Sequence, residues 1–311
     1  MLVNMREILD DAKAGGYGIP CINTPNMDTL RALINAAEEL DTPVIIDHAE
    51  VHNSLIPIER EGRLMVEMAK KAKVPVCVHL DHGVSYSFLM KALEAGFSSI
   101  MFDRSQFPFE ENVAAVKEFV EFAHARDITV EGELGKMCST AEDTHDGDAE
   151  SRVLTNEDIR EFFTEPDEAA EFAERTKVDA LAVVFGTMHG IYSEPPVLDI
   201  DRVKEIRKVV RPETHIVMHG ASGVDLDQIR TAIQAGCSKV NYYSYIGKGA
   251  ANYCKDVVNA KNGAIQYHEL CEYAYEYIKG YAKDVLSEFR TDRPRQEYNV
   301  LNKTFEEIYN K

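Results

Sequence analysis

Tryptophan is absent from the 311 residues, and no apolar run approaches the roughly 18 residues that a membrane span requires. The six cysteines, Cys21, Cys77, Cys138, Cys237, Cys254 and Cys271, contain no Cys-x-x-Cys pair. Several lie inside apolar runs, where a reduced thiol acts as a small hydrophobe, and a reducing, cytoplasmic setting fits. Basic blocks are lacking too: Lys+Arg 34 against Asp+Glu 53 leaves a formal charge of −19. Nucleic acid and anionic membrane surfaces are therefore not expected as partners. An anionic small substrate stays compatible, because local cations, helix N-termini or a metal reverse the sign inside a pocket. The first sixteen residues carry Glu7, Asp10 and Asp11 in an amphipathic pattern, unlike a signal peptide.

What is present is a regular alternation. Apolar residues at helical spacing over residues 1–14 and 28–40 precede strand-like runs at 17–23 and 43–47. Helical patterns at 64–73, 85–95, 110–126 and 168–176 precede strand-like runs at 75–80, 99–103, 129–134 and 180–185. Two more pairs follow, 201–210 before 215–218 and 227–235 before 239–243, with Gly96 and Gly236 placed as C-terminal glycine caps. About eight strand–helix units joined by short turns imply parallel pairing, and they close most naturally into a (β/α)₈ TIM barrel of the α/β class. An open doubly wound sheet is the fallback, but no Gly-x-Gly-x-x-Gly follows the first strand. Residues 1–289 are read as the barrel. Beyond a helix over 270–289, residues 290–311 form a C-terminal extension expected to pack on the barrel or on a neighbouring subunit.

The run Val76-Cys77-Val78-His79-Leu80-Asp81-His82-Gly83 ends a buried strand in an aspartate and a histidine side by side. Buried charges are costly unless paired or metal-linked, so this is poor core material. A barrel gathers its active site at the C-terminal strand ends. There, three separate strands deliver His82, His189 and His219 to one rim, and three imidazoles with an open position form the ligand set of a catalytic divalent metal, zinc most readily. The fifth strand ends in Glu131-Gly132-Glu133. Gly190, Gly220 and Gly223 let backbone approach a ligand, and with Ser222, Asn241 and Ser244 they favour a phosphate at the loops after strands seven and eight.

Five motifs carry a resemblance in order and spacing. They are residues 79–83, 130–135 and 186–190, the run His219-Gly220-Ala221-Ser222-Gly223, and Met101-Phe102-Asp103 with residues 108–112. The chain resembles the class II, zinc-dependent fructose-bisphosphate and tagatose-bisphosphate aldolases over roughly residues 5–289. The resemblance implies reversible cleavage of a ketose phosphate, in carbohydrate metabolism of the glycolytic kind, to dihydroxyacetone phosphate and an aldehyde through a zinc-stabilised enediolate. It also implies residue roles. His82, His189 and His219 hold zinc, with Glu133 an alternative or outer carboxylate. Asp81 is the acid/base at the C4 hydroxyl, and Glu142 moves a proton at C3. Asn23, Gly190, Gly220, Ser222, Asn241 and Ser244 hold substrate, with a monovalent cation, Na⁺ or K⁺, nearby. Homodimers or homotetramers are implied as well.

This chain also departs from the family pattern. Ser193 stands where a phosphate-binding lysine is usual, Arg104 follows Asp103 where a small residue is usual, Cys138-Ser139 replaces a glycine pair, and strand eight reads Asn241-Tyr242-Tyr243-Ser244-Tyr245 where a threonine followed by an acid is common. Strand two ends in Asp47-His48-Ala49-Glu50-Val51-His52. These changes spare the metal set, so the expectation is aldol chemistry on an altered ketose phosphate, with Arg104, His48 and His52 reshaping the aldehyde end. Arg104 is suited to pair an anion bidentately or, alternatively, to bridge to Asp103 or Glu133. The rival readings are a metal-dependent sugar-phosphate isomerase or epimerase and a catalytically weakened sugar-phosphate-binding barrel. Asp81 argues against the last, since binding alone needs no base beside a metal.

Overall fold

The computed structural model describes residues 1–135, 155–190, 192, 194–295 and 300–301. Glu142, Cys138, Ser139, Ser193 and most of the C-terminal extension lie outside the described residues.

Eight parallel strands close into a barrel in chain order: β1 (Ile19–Asn23), β2 (Val44–Ala49), β3 (Val76–Gly83), β4 (Ser99–Phe102), β5 (Thr129–Leu134), β6 (Ala180–Val183), β7 (His215–Met218) and β8 (Cys237–Asn241). The helices between them are α2 (Met27–Leu40), α3 (Ile58–Lys71), α4 (Tyr86–Ala95), α5 (Phe109–His124), α7 (Pro166–Thr176), α8 (Ile200–Val209) and α9 (Leu226–Ala235), with a short α6 (Asn156–Arg160) before α7. Ahead of them all, α1 (Met5–Gly15) begins on a capping box in which Asn4 and Glu7 satisfy each other's backbone N–H groups. After β8 come α10 (Ser244–Ala260) and α11 (Tyr267–Glu288), and α11 packs on α2 and α10.

The largest differences from the sequence expectation are in two helices. The helix α3 starts six residues earlier than its apolar spacing indicates, at Ile58, because Glu59 and Glu61 favour a helix's first turn irrespective of hydrophobic pattern. The whole of α10 was not anticipated, since Gly247, Gly249 and its many polar residues blur the apolar stripe. Its inner face is nonetheless buried through Tyr245, Ile246, Gly249 and Ala250.

The strand period of two splits the core into two layers. Ile22, Ile46, Val78, Leu80, Val130, Leu181, Val183, Ile216 and Val240 point outward and join the sheet–helix core. Inward-facing Cys21, Ile45, Cys77, Ala180, Ala182 and Val217 form a separate small cluster, closed from below by Met5, Ile8, Leu9 and Ala12 of α1. This plug fills the N-terminal end of the barrel with apolar atoms. The next inward positions, Asp47, His79, Asp81, Glu131, Glu133 and Lys239, are all buried and polar. Apolar packing ends where the chemistry begins. Of the C-terminal extension, Leu301 is buried, and Arg295 binds Glu288 and Asp227, anchoring the described residues to α9 and α11.

Candidate active site

Strict alternation along β3 turns Asp81 inward and would turn His82 outward. The backbone breaks that rule: His82 has φ 46°, a left-handed conformation rare outside glycine, and the β3–β4 register shifts between Leu80 and Gly83. The kink returns His82 to the barrel mouth, so consecutive residues serve one site. Backbone strain of this kind persists only where the surroundings enforce it. Here His82 Nδ1 pairs with Asp103 Oδ2 at 2.8 Å, and Asp103 Oδ1 accepts from the backbone and hydroxyl of Ser105 at 3.0 and 2.7 Å.

The three predicted histidines meet. Ring centroids of His82 lie 4.8 Å from both His189 and His219, and those two are 5.7 Å apart. One nitrogen from each falls within 4.8 Å of the other two, and Glu133 joins His82 and Asp103 in an overlapping group. Among the described residues, His82 Nε2, His219 Nδ1 and Glu133 Oε2 are buried without a hydrogen bond, the last two lying 3.4 Å apart. Buried polar atoms are normally satisfied, so the orphaned nitrogens fit a divalent metal held by three imidazoles with Glu133 in reach.

The remaining nitrogens of His82 and His219 are oriented by the carboxylates of Asp103 and Glu131. His219 Nε2 bonds Glu131 Oε1 at 2.9 Å, and Glu131 is in turn paired with the wholly buried Lys239 at 2.8 Å. Burial alone would raise the Glu131 carboxyl, but Lys239, His219 and His79 outweigh it and hold it at about 2. Burial likewise opposes the charged form of His82, yet Asp81 and Asp103 lift it to about 10; the same carboxylates would favour a divalent ion in place of that proton. His189 is pushed well below its ordinary value by burial, then by the neighbouring charges of His82 and His219, which leaves a neutral ring suited to ligation. For Glu133, burial and the charge of Asp103 push the carboxyl well above the usual range.

Beside this centre, Asp81 is held below its ordinary value: its burial is outweighed by His82, Lys239 and His219. The Asn241 amide donates to both Asp81 oxygens at 3.1 and 3.3 Å, leaving Asn241 Oδ1 buried without a partner. Asn23 lies on the adjacent strand, its amide donating to Asp47 Oδ1 at 2.7 Å. The loop after β7 carries Ser222, whose buried hydroxyl also has no hydrogen-bond partner among the described residues. Gly220, with φ 63°, is pressed against the backbone of Met188 so closely that a side chain there would overlap the Met188 carbonyl. Tyr192 ties the two loops together, its hydroxyl bonding Met188 O at 3.0 Å and Gly220 O at 2.7 Å. Ser244 opens α10, a helix whose N-cap Tyr243 makes no side-chain cap, and Gly190 follows His189 with φ 98°.

Two predicted residues are not brought to the histidines. His48 is an outward position of β2: its ring pairs with Glu61 of α3 at 2.9 Å and stacks on Phe88 of α4 at 6.2 Å, with no exposed surface. Arg104, beyond β4, shares the outward parity of Phe102, and its guanidinium stacks 3.5 Å from the Phe107 ring centroid and 5.8 Å from that of Phe102. Among the described residues it makes no ion pair, so the bridge to Asp103 or Glu133 is not formed. His52 reaches the mouth instead, edge-on to Tyr243 at 6.1 Å. Conversely, sequence reasoning gave no role to Asp47, Asp103, Glu131 or Lys239. The signal for Glu131 and Lys239 was available, as charged residues inside strand runs buried on both faces.

Comparison with known proteins agrees with this geometry. The family profile described as fructose-bisphosphate aldolase class-II matches residues 3–293. The YdjI aldolase from Escherichia coli K12 is 34% identical, with a TM-score of 0.81 over 94% of this chain and 98% of that one. The fructose-bisphosphate aldolase of Campylobacter jejuni, 21% identical with a TM-score of 0.76 over 93% of this chain and 95% of that one, shares the fold. With a match across nearly its whole length and an aldolase a third identical to it, the chain belongs to the class II fructose-bisphosphate aldolase family.

Proposed function

We propose that the protein is a zinc-dependent aldolase that reversibly cleaves a ketose phosphate to dihydroxyacetone phosphate and an aldehyde. The observation that carries this reading is the convergence of His82, His189 and His219 beside Asp81, which lies 4.0 Å from His82 Nε2. When bound, the divalent ion supplies Lewis-acid stabilisation of the negative charge left on the three-carbon fragment.

The chain's own residues supply the rest. Asp81 accepts the proton of the C4 hydroxyl; as the C4–O bond becomes a carbonyl, the C3–C4 pair passes to the fragment that becomes dihydroxyacetone phosphate. The two hydrogen bonds from Asn241 aim the Asp81 carboxylate. The proton required at C3 is assigned to Glu142. Ser222, Gly190, Gly220 and Ser244, at loops converging on the start of α10, hold the phosphate, where helix N–H groups favour an anion. A Na⁺ or K⁺ ion beside that phosphate and a homodimeric or homotetrameric assembly belong to the same proposal.

The test measures metal content and then dihydroxyacetone phosphate release from a panel of ketose mono- and bisphosphates, before and after chelation. Stoichiometric zinc and chelator-sensitive release are expected. Release that survives complete metal removal overturns the mechanism, and no release from any panel member overturns the reaction.

A further inference from the structure

Asp47 is an inward residue of β2, wholly buried, in register with Asn23 of β1. No cation pairs with it among the described residues. Instead β1 grips both its oxygens: Asn23 Nδ2 donates to Oδ1 at 2.7 Å, and the thiol of Cys21 lies 3.2 Å from Oδ2. A carboxyl oxygen facing an amide takes the NH₂ side of that amide, because only the NH₂ side donates. Burial, and after it the charge of Asp81, push the Asp47 carboxyl well upward. The Cys21 thiol donates to Oδ2, which leaves Oδ1 as the acceptor for Asn23.

The amide orientation of Asn23 is therefore dictated by Asp47. Its carbonyl oxygen is turned away from Asp47 and accepts no hydrogen bond from any described residue. The same construction recurs one strand away, where Asp81 takes the NH₂ of Asn241 and leaves Asn241 Oδ1 buried and unpartnered. Two carboxamides on adjoining strands β8 and β1 are thus clipped by two aspartates on β3 and β2, and both offer acceptors. Acceptors of this kind read hydroxyl donors, and an unmet acceptor penalises a ligand that lacks one.

Resting on the aldolase reading above, we propose that Asp47 is a positioning residue that presents the Asn23 carbonyl oxygen to the ketose C5 hydroxyl. The enzyme thereby selects aldehydes hydroxylated next to the carbonyl. Asp81 addresses the C4 hydroxyl, and Asn23 is the next polar group round the wall beyond Asp47, which matches the next hydroxyl out along the substrate.

The experiment runs the reaction in the direction of condensation, with the zinc-loaded full chain, dihydroxyacetone phosphate, and either glyceraldehyde or its 2-deoxy counterpart 3-hydroxypropanal. The native protein should favour glyceraldehyde in kcat/KM by about tenfold, the worth of one net hydrogen bond. Asp47→Asn, which lets the Asn23 amide turn, should bring that ratio to within about threefold, and so should Asn23→Ala. The double variant should show no further fall, since both act on one contact. Zinc content and unfolding midpoint check that each variant is folded; if Asp47→Asn is not, Asp47→Ala carries the comparison. A ratio preserved in folded Asp47 variants overturns the inference and leaves the aldolase reading standing, as does a native enzyme that condenses both aldehydes equally. No condensation with either aldehyde, and none in the ketose panel, overturns both.

Discussion

Asp81 and Asp103 both lie against His82, yet their geometry assigns them different work. Asp103 bonds the ring at 2.8 Å and is itself held by Ser105, so it orients the His82 ring. Asp81 stands 4.0 Å from His82 Nε2 and is gripped by Asn241, so it is free to exchange a proton with substrate. Asp81→Ala should keep zinc while lowering kcat by about 10² to 10⁴, the range of a general base. Asp103→Asn should instead weaken zinc binding by about 10- to 100-fold, the usual cost of losing a ligand's outer partner. Chelator competition on both variants separates the roles, and zinc loss in Asp81→Ala with normal affinity in Asp103→Asn would reverse them. The motif around Met101-Phe102-Asp103 was visible in the sequence, but its task was not, because the partner His82 is 21 residues away and reaches it only through a left-handed kink.

At the scale of elements, the site depends on loops after β6 and β7 being locked together. Tyr192 bridges them and Gly220 packs on Met188, so the backbone that carries His219 touches the backbone that precedes His189. Gly220→Ala meets two obstacles, a positive φ and a blocked methyl position. We expect a loss of about 2 to 3 kcal/mol in stability, with weakened zinc affinity as the loops separate. Thermal unfolding with and without zinc checks this: the gap between the two midpoints should shrink in the variant. An unchanged gap would mean that the loops hold the histidines independently. Strand parity decides the outcome for the rim residues as well. His48 and Arg104 sit one position from inward Asp47 and Asp103, and that single step carries each to the outer face.

For the molecule as a whole, the polar interior makes stability sensitive to acid. His215, on β7 below the site, is fully buried between Asp10 and Ser238, and burial holds its pKa down to about 4 against 6.5 in the unfolded chain. The folded state resists a proton that the unfolded state binds. Its contribution is therefore complete above pH 6.5 and is lost progressively as the pH falls toward 4, by at most about 3 kcal/mol. His215→Gln should flatten the decline of the urea midpoint across that window relative to the native protein. Identical slopes would show that His215 titrates alike in both states. No helix among the described residues is long and apolar enough to cross a membrane.

The eight-fold alternation, the closed parallel barrel and the three histidine-bearing strand ends were legible in the chain, because strand and helix periods and glycine stops are local properties. The helix α10 was not, since its burial comes from packing against α11 and outweighs a weak apolar stripe. The sequence by itself determined which residues stand at the C-terminal rim, and hence the histidine trio, the aspartate beside it and the aldolase family. Tertiary structure alone decided which of those residues face inward and what each one touches. His219 meets Glu131 across 88 residues and Asp81 meets Asn241 across 160. Such pairings, like the turn of the Asn23 amide onto Asp47, follow from barrel closure and strand register, which bring distant positions onto one wall.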